Sequence, residues 1–143
     1  MNKAQLRRQA AHMRKSLFDK GYLDEQFIEL EELQDDANPN FVEEIVTVFY
    51  NDTARLITNL EHELRSSPMD FEKLDDYMHQ FKGSSSGIGA KKVKNECSRF
   101  SECCTARDAE GCFRTFQRAK QEYKTLKTKL EAYFQLAREA AQD

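Results

Sequence analysis

Apolar side chains recur every three or four residues along almost the whole chain, which is the spacing of one face of an α-helix. Six such stripes occur, and they predict six helices. The third runs from about 41 to 64, and the last is long because its apolar residues repeat at intervals of seven. The stripes consist of Leu6, Ala10, Met13 and Leu17; Leu23, Phe27, Leu30 and Leu33; Val42, Ile45, Val46, Phe49, Leu56, Leu60 and Leu64; Phe71, Leu74, Met78 and Phe81; Val93, Cys97, Phe100 and Cys104; and Phe116, Ala119, Tyr123, Leu126, Leu130, Tyr133 and Ala137.

The residues between the stripes are typical of helix ends. Gly21 ends the first helix, and in Asn38-Pro39-Asn40 asparagine is a good cap and proline a good first helical residue for the third. Gly87 and Gly89 are expected to end the fourth helix and begin the fifth. Asp108 or a neighbour starts the sixth helix.

Four long helices with short connections predict an all-α protein built on an antiparallel four-helix bundle. The bundle covers about 38–143, and two additional N-terminal helices in about 1–36 are expected to pack on one end or side of it. Together they form one domain. The composition agrees, because five glycines and two prolines in 143 residues leave little material for β-turns.

Bulk properties exclude several classes of protein. The net charge, 22 − 25 = −3, gives no electrostatic basis for binding nucleic acid. No apolar run approaches the roughly 20 residues that span a bilayer. The first 18 residues lack the apolar core of a secretory signal, although their Arg-rich, acid-poor composition leaves a transit peptide open. We therefore expect an intracellular protein without a membrane partner.

Charge is segregated along the chain. Residues 21–54 contain ten acidic residues and no Lys or Arg, whereas residues 111–130 contain six basic residues and one acidic residue. Solvated helix faces explain most runs of this kind. The alternative is a dipolar surface that orients an encounter with a protein partner.

Neither cysteine nor histidine spacing indicates a metal or cofactor site. The four cysteines are Cys97, Cys103, Cys104 and Cys112. They form no CxxC pair, and we expect free thiols that pack as small apolar residues, with a redox role as the minor alternative. The chain has no Walker A loop, dinucleotide fingerprint or repeated Glu-x-x-His motif. His12 and His62 lie among charged residues and are expected to be ordinary exposed histidines.

His79 differs from them in its direction. At about 100° per residue it falls roughly 140° from the middle of the fourth apolar stripe, so it should face solvent. Lys82 and Gly83 follow three and four residues later, while Asp75 and Asp76 lie one turn earlier. An exposed imidazole can be a nucleophile or a base, and a nearby lysine would pair with an anion on the ring, which favours a phosphoryl over an acyl group. The spacing alone also fits a histidine without a role.

Gly83 has two interpretations. A glycine inside a helix costs about 1 kcal/mol relative to alanine. Clearance for a second surface that approaches the imidazole would explain that cost. Alternatively, Gly83 ends the fourth helix as a C-cap. The spacing does not choose between them.

Residues 79–90, His-Gln-Phe-Lys-Gly-Ser-Ser-Ser-Gly-Ile-Gly-Ala, closely resemble the signature of histidine-containing phosphotransfer (HPt) proteins, above all the plant type of cytokinin signalling. The shared pattern is a His, Lys-Gly three and four residues later, Ser-Ser, and then Gly-Ala. Helix order, Asn-Pro-Asn and length extend the resemblance over essentially the whole chain. Gly87 departs from it, because the plant pattern usually has Ser there, and we expect it to loosen the helix end slightly.

The resemblance implies the site residues and their partners. His79 would accept the phosphoryl group, Lys82 would neutralise its charge, Gly83 would give the partner room, and Gln80 would help to position the site. Some plant relatives carry Asn in place of this His, so the chain resembles the active branch. The family implies transfer from a receiver-domain aspartate of a hybrid histidine kinase to an aspartate of a response regulator. Mg²⁺ is expected on the receiver, so the chain needs no metal or other cofactor of its own and is not an enzyme by itself.

The resemblance also implies a docking surface formed by the second, third and fourth helices around His79. Its candidate members are Ile28, Leu30, Val42, Asp75, Asp76 and Ser86. The acidic residues of 21–54 lie on the same helices and are expected to tune which receivers bind. We expect a monomer located in the cytoplasm and the nucleus.

Two other functions stay open. One is a helical module that docks receivers without carrying phosphate, against which the combination of His79 and Lys82 argues. The other is a metal or cofactor bundle, against which the shortage of inward His and Glu pairs argues.

Overall fold

The computed structural model describes residues 2–142 and contains the six predicted helices. They are α1 (Lys3–Asp19), α2 (Glu25–Leu33), α3 (Phe41–Leu64), α4 (Phe71–Ile88), α5 (Lys91–Thr105) and α6 (Ala109–Ala141). The described residues form no β-strand and only two isolated β-bridges. The all-α prediction is confirmed, and so is the predicted span of the third helix. No described helix combines the length and apolar character that crossing a membrane requires.

Helices α3 to α6 form the predicted antiparallel four-helix bundle. Helix α3 packs on α4, α4 on α5, and α5 on α6, and a thinner contact between α6 and α3 closes the bundle. The connections 65–70, 89–90 and 106–108 are short, so consecutive helices run in opposite directions. Helix α4 therefore lies diagonally opposite α6.

The two N-terminal helices take different sides of this bundle instead of one. Helix α1 lies along α6, whereas α2 lies across α3 and α4. Of these two helices, only α2 therefore contacts α4, the helix that carries His79.

Aromatic side chains fix the rotation of the helices about their axes. Phe27, Phe81, Phe100 and Phe116 are almost completely buried, one each from α2, α4, α5 and α6. Tyr123 of α6 also packs edge-on against Phe81, with 6.4 Å between ring centroids. Burying such a side chain contributes roughly 1.5–3 kcal/mol each. Because Phe81 is held in the core, the opposite face of α4 points to solvent.

The capping of α3 differs from the sequence prediction. The N-cap is Asn40 rather than Asn38, its side chain forms no capping hydrogen bond, and Pro39 precedes the helix. The amide carbonyl of Gln34 instead accepts a hydrogen bond from the backbone N–H of Val42, at 3.1 Å. A side chain from the end of α2 thus satisfies one of the free N–H groups of α3. The predicted start of α6 is confirmed, because Asp108 accepts from Gly111 N at 2.9 Å.

The end of α4 also needs a correction. Gly87 lies inside the helix, which continues to Ile88. Gly89 alone is the C-cap, in the left-handed region with φ +75°. A Cβ there would come within 2.6 Å of Asp24 Oδ1 and 2.9 Å of Phe27 N. Glycine is therefore required at 89 both for its backbone conformation and for the close approach of α2.

Candidate functional site

His79 lies near the middle of α4 on its exposed side. The buried face of α4 consists of Leu74, Met78, Phe81, Ser85 and Ile88. It extends the predicted stripe by Ser85 and Ile88, whereas Phe71 at the start of the stripe is only half-buried. His79 is exposed, and its imidazole forms no hydrogen bond or ion pair with any other described residue. Both ring nitrogens are therefore available to a reactant from outside, and the bundle behind α4 fixes the helix that carries the imidazole.

The second interpretation of Gly83, as a C-cap, is excluded, because Gly83 lies inside α4 one turn beyond His79. A Cβ at Gly83 would meet no heavy atom within 4 Å, and the same holds for Gly87 one turn farther on. His79, Gly83 and Gly87 thus form a row on the solvent face, in which no side chain follows the imidazole for two turns. Another surface can approach the helix backbone along this row.

Lys82 lies on the flank of α4 that faces α5. Its side chain is half-buried, and it forms no ion pair with another described residue. Burial raises the pKa of the Cys97 thiol of α5 to about 12, and the positive charge of Lys82 opposes that increase. The stem of Lys82 therefore lies near α5 while its ammonium stays free to meet an anion beside His79.

The remaining predicted residues around His79 have different environments. Gln80 and Asp76 are exposed, and Asp75 and Ser86 are half-buried. Burial is the main cause of the raised pKa of the Cys104 and Cys112 thiols, and the negative charge of Asp75 raises it further. Asp75 therefore lies on the side of α4 that is near the C-terminal end of α5. The structure shows these four side chains within two turns of His79 but no hydrogen bond that links any of them to it.

The predicted docking surface has to be revised on α2 and α3. Ile28 is 38% exposed, but Leu30 is 7% and Val42 only 4% exposed. Leu30 and Val42 are therefore core residues that cannot touch a partner without unfolding. Both belong to the apolar stripes, and periodicity places them inward. The surface keeps Ile28, Asp75, Asp76 and Ser86.

The sequence analysis missed Val48, which is 54% exposed. Glu63 marks the flank of α3 that faces α4, because its carboxylate pairs with Lys73 of α4 at 3.0 Å. Val48 stands fifteen residues earlier, which places it within about 60° of Glu63 around the helix. The sequence signal that could have identified Val48 as exposed is its position outside the apolar stripe of α3. Together, Ile28 and Val48 give the docking surface of α2, α3 and α4 an exposed apolar part.

Acidic side chains lie one helical turn from Ile28 and Val48, namely Glu25, Glu32, Glu44 and Asp52. Three acids of segment 21–54 are neutralised by cations from other helices, in the pairs Arg14–Glu31, Lys94–Asp24 and Arg138–Glu43. Seven others form no ion pair with any described residue. They are Glu25, Glu29, Glu32, Asp35, Asp36, Glu44 and Asp52.

The structure places the other chemistry-bearing residues away from His79. His12 and His62 are exposed, as predicted. All four cysteines are free, with Cys104 Sγ and Cys112 Sγ in contact at 3.8 Å between α5 and α6. Within residues 2–142, no group of three or more His, Cys, Asp or Glu side chains is arranged to hold a metal ion.

Comparison with known proteins now decides the family. The sequence model of the Hpt domain matches residues 44–139, from the first turn of α3 to the end of α6. The chain belongs to the Hpt domain family. The match contains His79 and the whole of α4 and α5, so the exposed histidine lies inside the family domain and α1 and α2 lie outside the matched segment.

Curated relatives of this Hpt protein carry two kinds of name. A histidine-containing phosphotransfer protein 4 of Arabidopsis thaliana is 64% identical over 115 residues, which cover 80% of this chain and 91% of the relative. A pseudo histidine-containing phosphotransfer protein 5 of Oryza sativa subsp. japonica is 53% identical over 140 residues, which cover 98% and 92%. The Hpt protein is thus similar to plant phosphotransfer proteins and to proteins named as pseudo versions of them.

Solved structures agree with the fold. A crystal structure of a histidine-containing phosphotransfer protein from Medicago truncatula superposes with a TM-score of 0.91 at 40% identity, covering 96% of each chain. One from maize gives 0.89 at 38% identity and covers 94% of this chain and 98% of that one. The coverage includes α1 and α2, so the two N-terminal helices also have counterparts in plant Hpt proteins.

Proposed function

We propose that His79 carries a phosphoryl group between two receiver domains in a plant two-component phosphorelay. The observation that carries this proposal is the row on α4: an unpaired, exposed imidazole is followed by a glycine with open space above it. Membership of the Hpt family supplies the general role in a phosphorelay. The identity of the phosphorylated atom and of the partners is the part proposed.

The transfer is a displacement at phosphorus. A neutral ring nitrogen of His79 attacks the phosphorus of the receiver's aspartyl phosphate. A P–N bond forms, the P–O bond to the aspartate breaks, and the aspartate leaves as a carboxylate. In the second transfer, the aspartate of another receiver attacks the phosphohistidine, and the imidazole is the leaving group.

The Hpt protein and its proposed partner supply different groups for the transfer. Its described residues provide a nucleophile, a free cation at Lys82 and open space, and these hold and orient the reactants. The proposed partner supplies the aspartate and Mg²⁺, which neutralises charge on the transferring group. The chain alone is then inert, because an exposed histidine without a partner gains no positioning.

The residue at position 79 bears on whether this chain is an active or a pseudo member of the family. Overall identity does not separate them, since 53% to one such relative compares with 46% to histidine-containing phosphotransfer protein 2 of Arabidopsis thaliana. Only a chain with the imidazole can form the P–N bond. The presence of His79 therefore supports the active role.

The test is transfer of labelled phosphate from a phosphorylated receiver domain of a plant hybrid histidine kinase. We expect the wild-type protein to gain label that is stable in base and labile in acid. His79→Gln should gain none, while the matched control His62→Gln, an exposed histidine of α3, should equal the wild type. Undiminished labelling of His79→Gln would exclude His79 as the acceptor.

A second function is a docking module that binds receivers without carrying phosphate. The similarity to pseudo proteins of 53–54% identity favours keeping it as the alternative. It predicts that His79→Gln still binds receivers and still replaces the wild-type protein in a plant lacking it. The phosphorelay proposal predicts binding but no replacement.

A further inference from the structure

Helix α2 carries the exposed Ile28 of the docking surface, but it is too short to be stable by itself. It has nine residues, and an isolated helix shorter than about 12 residues is marginal in water. Its position therefore depends on ties to the rest of the protein. Besides the buried Phe27 and Leu30 and the hydrogen bond from Val42 to Gln34, two ties hold it, one at each end.

The first tie is at Asp24, the N-cap of α2. Its Oδ1 accepts a hydrogen bond from Gln26 N at 3.0 Å, and its backbone N–H donates to the carbonyl of Gly89 at 2.9 Å. Lys94 of α5 donates to Oδ2 at 3.3 Å. This tie fixes the start of α2 on the end of α4.

The second tie holds the last turn of α2 through α1. Arg14 donates to both carboxylate oxygens of Glu31, with its closest contact at 2.6 Å from Nη2 to Oε1 and another at 2.9 Å from Nε to Oε2. The Arg14 guanidinium also lies 4.8 Å from the centroid of the Phe18 ring, and Phe18 packs edge-on against Phe27 of α2. We call Arg14, Phe18, Phe27 and Glu31 the α1–α2 joint.

The joint is the main link between the two helices. Along their full lengths no Cα of α1 comes within 8 Å of a Cα of α2, so long side chains bridge a gap between the backbones. A forked pair of this kind restrains direction as well as distance, because the planar guanidinium must align with the carboxylate. Removing the fork leaves the last turn of α2 held mainly by Leu30 and the link from Gln34 to Val42.

We propose that Arg14 and Glu31 are positioning residues for receiver docking, which gives α1 a role in partner recognition although it lies on α6, on the far side of the bundle from His79. The inference rests on the proposed function. Because α2 is already fixed in the free protein, Ile28 is in position before the receiver binds. Binding then loses less conformational entropy, since α2 does not have to become ordered in the complex. The tie acts on affinity alone, because neither residue reaches the imidazole.

The test compares Arg14→Met, Glu31→Gln and the exchanged pair Arg14→Glu/Glu31→Arg with the wild type. Methionine keeps the stem on Phe18 and removes the fork. The matched control is Lys120→Met, which breaks the Lys120–Glu61 pair between α6 and α3, at 3.2 Å, without touching α2. Single-turnover transfer is measured against receiver concentration, and hydrogen exchange reports the opening of α2.

We expect each single variant to raise the half-saturating receiver concentration roughly fivefold, equivalent to about 1 kcal/mol, with the maximal rate changed less than twofold. Amides of α2 should exchange faster while those of α4 do not. The exchanged pair should recover most of the affinity, and Lys120→Met should resemble the wild type. Equal effects of Arg14→Met and Lys120→Met, no recovery in the exchanged pair, or a fall in the maximal rate alone would overturn the proposal.

Failure of the proposed function gives a different result. If the wild-type protein takes up no phosphate but binds a receiver in calorimetry, His79 transfer is wrong and the joint is still tested by the affinities of the same variants. If the wild type binds no receiver domain, both proposals are wrong.

Discussion

Gly83 stands one helical turn beyond His79 on the solvent face of α4, and a Cβ at Gly83 would meet no atom within 4 Å. The protein itself therefore gives no steric reason for glycine at this position. The proposed function gives one, because a partner that covers the imidazole would fill this space. A residue that weakens its own helix without serving the fold is typical of a functional site.

Gly83→Ala is accordingly expected to stabilise the protein while it slows transfer. Alanine should raise the free energy of unfolding by about 0.5–1 kcal/mol, because it limits the unfolded chain and meets no clash. Its methyl group should hinder the partner and lower the transfer rate. Chemical denaturation and single-turnover transfer measure the two effects.

Gly87→Ala is the matched control for this prediction. It lies on the same face and has the same open surroundings, so it should be equally stabilising. Being two turns from His79, it should slow transfer less. Equal slowing by both variants would show that the clearance is not specific to the imidazole.

Lys82 should affect the rate through its charge. Lys82→Gln keeps a long polar side chain but removes the cation, and we expect transfer to slow roughly tenfold, equivalent to about 1.4 kcal/mol of barrier. Lys91→Gln, an exposed lysine at the start of α5, serves as the control and should leave the rate unchanged. An unchanged rate in Lys82→Gln would remove Lys82 from the mechanism.

Gly89→Ala should have the opposite effect on stability from Gly83→Ala. The residue has φ +75°, and its Cβ would come within 2.9 Å of the backbone N of Phe27. We expect a loss of about 2 kcal/mol or more in the free energy of unfolding, because left-handed backbone strain and displacement of α2 add together. A loss below about 0.5 kcal/mol would contradict the close packing of α2 on α4.

The cysteines predict a dependence of stability on pH. Burial raises the pKa of Cys97 to about 12, from an ordinary value of 9.0, and raises those of Cys104 and Cys112 as well. Between these values the unfolded chain loses thiol protons that the folded chain keeps. The contribution of these cysteines to stability should therefore be constant below about pH 9 and fall as the pH rises toward 12.

Alkylation checks the same burial directly. At pH 8, iodoacetamide should modify the half-buried Cys103 first, and the buried Cys97, Cys104 and Cys112 only after denaturation. Peptide mass spectrometry gives the order. Rapid modification of Cys97 in the native protein would contradict its place in the core.

The apolar periodicity predicted the helices and the direction of His79, because both depend on local geometry. The docking surface that the resemblance implies was predicted less well. Ile28 is exposed, but Leu30 and Val42 are buried, as their places in the apolar stripes indicate. Val48 lies outside the apolar stripe of α3, so the same periodicity could have predicted its exposure.

Pairings over long sequence distances could not be predicted. The contact of Arg14 with Glu31 joins residues 17 positions apart, and that of Lys94 with Asp24 joins residues 70 apart. Each sequence segment contains several possible partners for these charges. Only the packing of α1 on α6 and of α2 on α4 selects among them.

The most direct test of the central claim is a two-step transfer in a single tube. The protein is labelled from a phosphorylated kinase receiver, freed of donor and nucleotide, and mixed with the receiver of a response regulator. We predict that the label sits on His79, as peptide mapping under basic conditions shows, and that it moves to the second receiver. Label on another residue, or label on His79 that no receiver removes, would contradict the account.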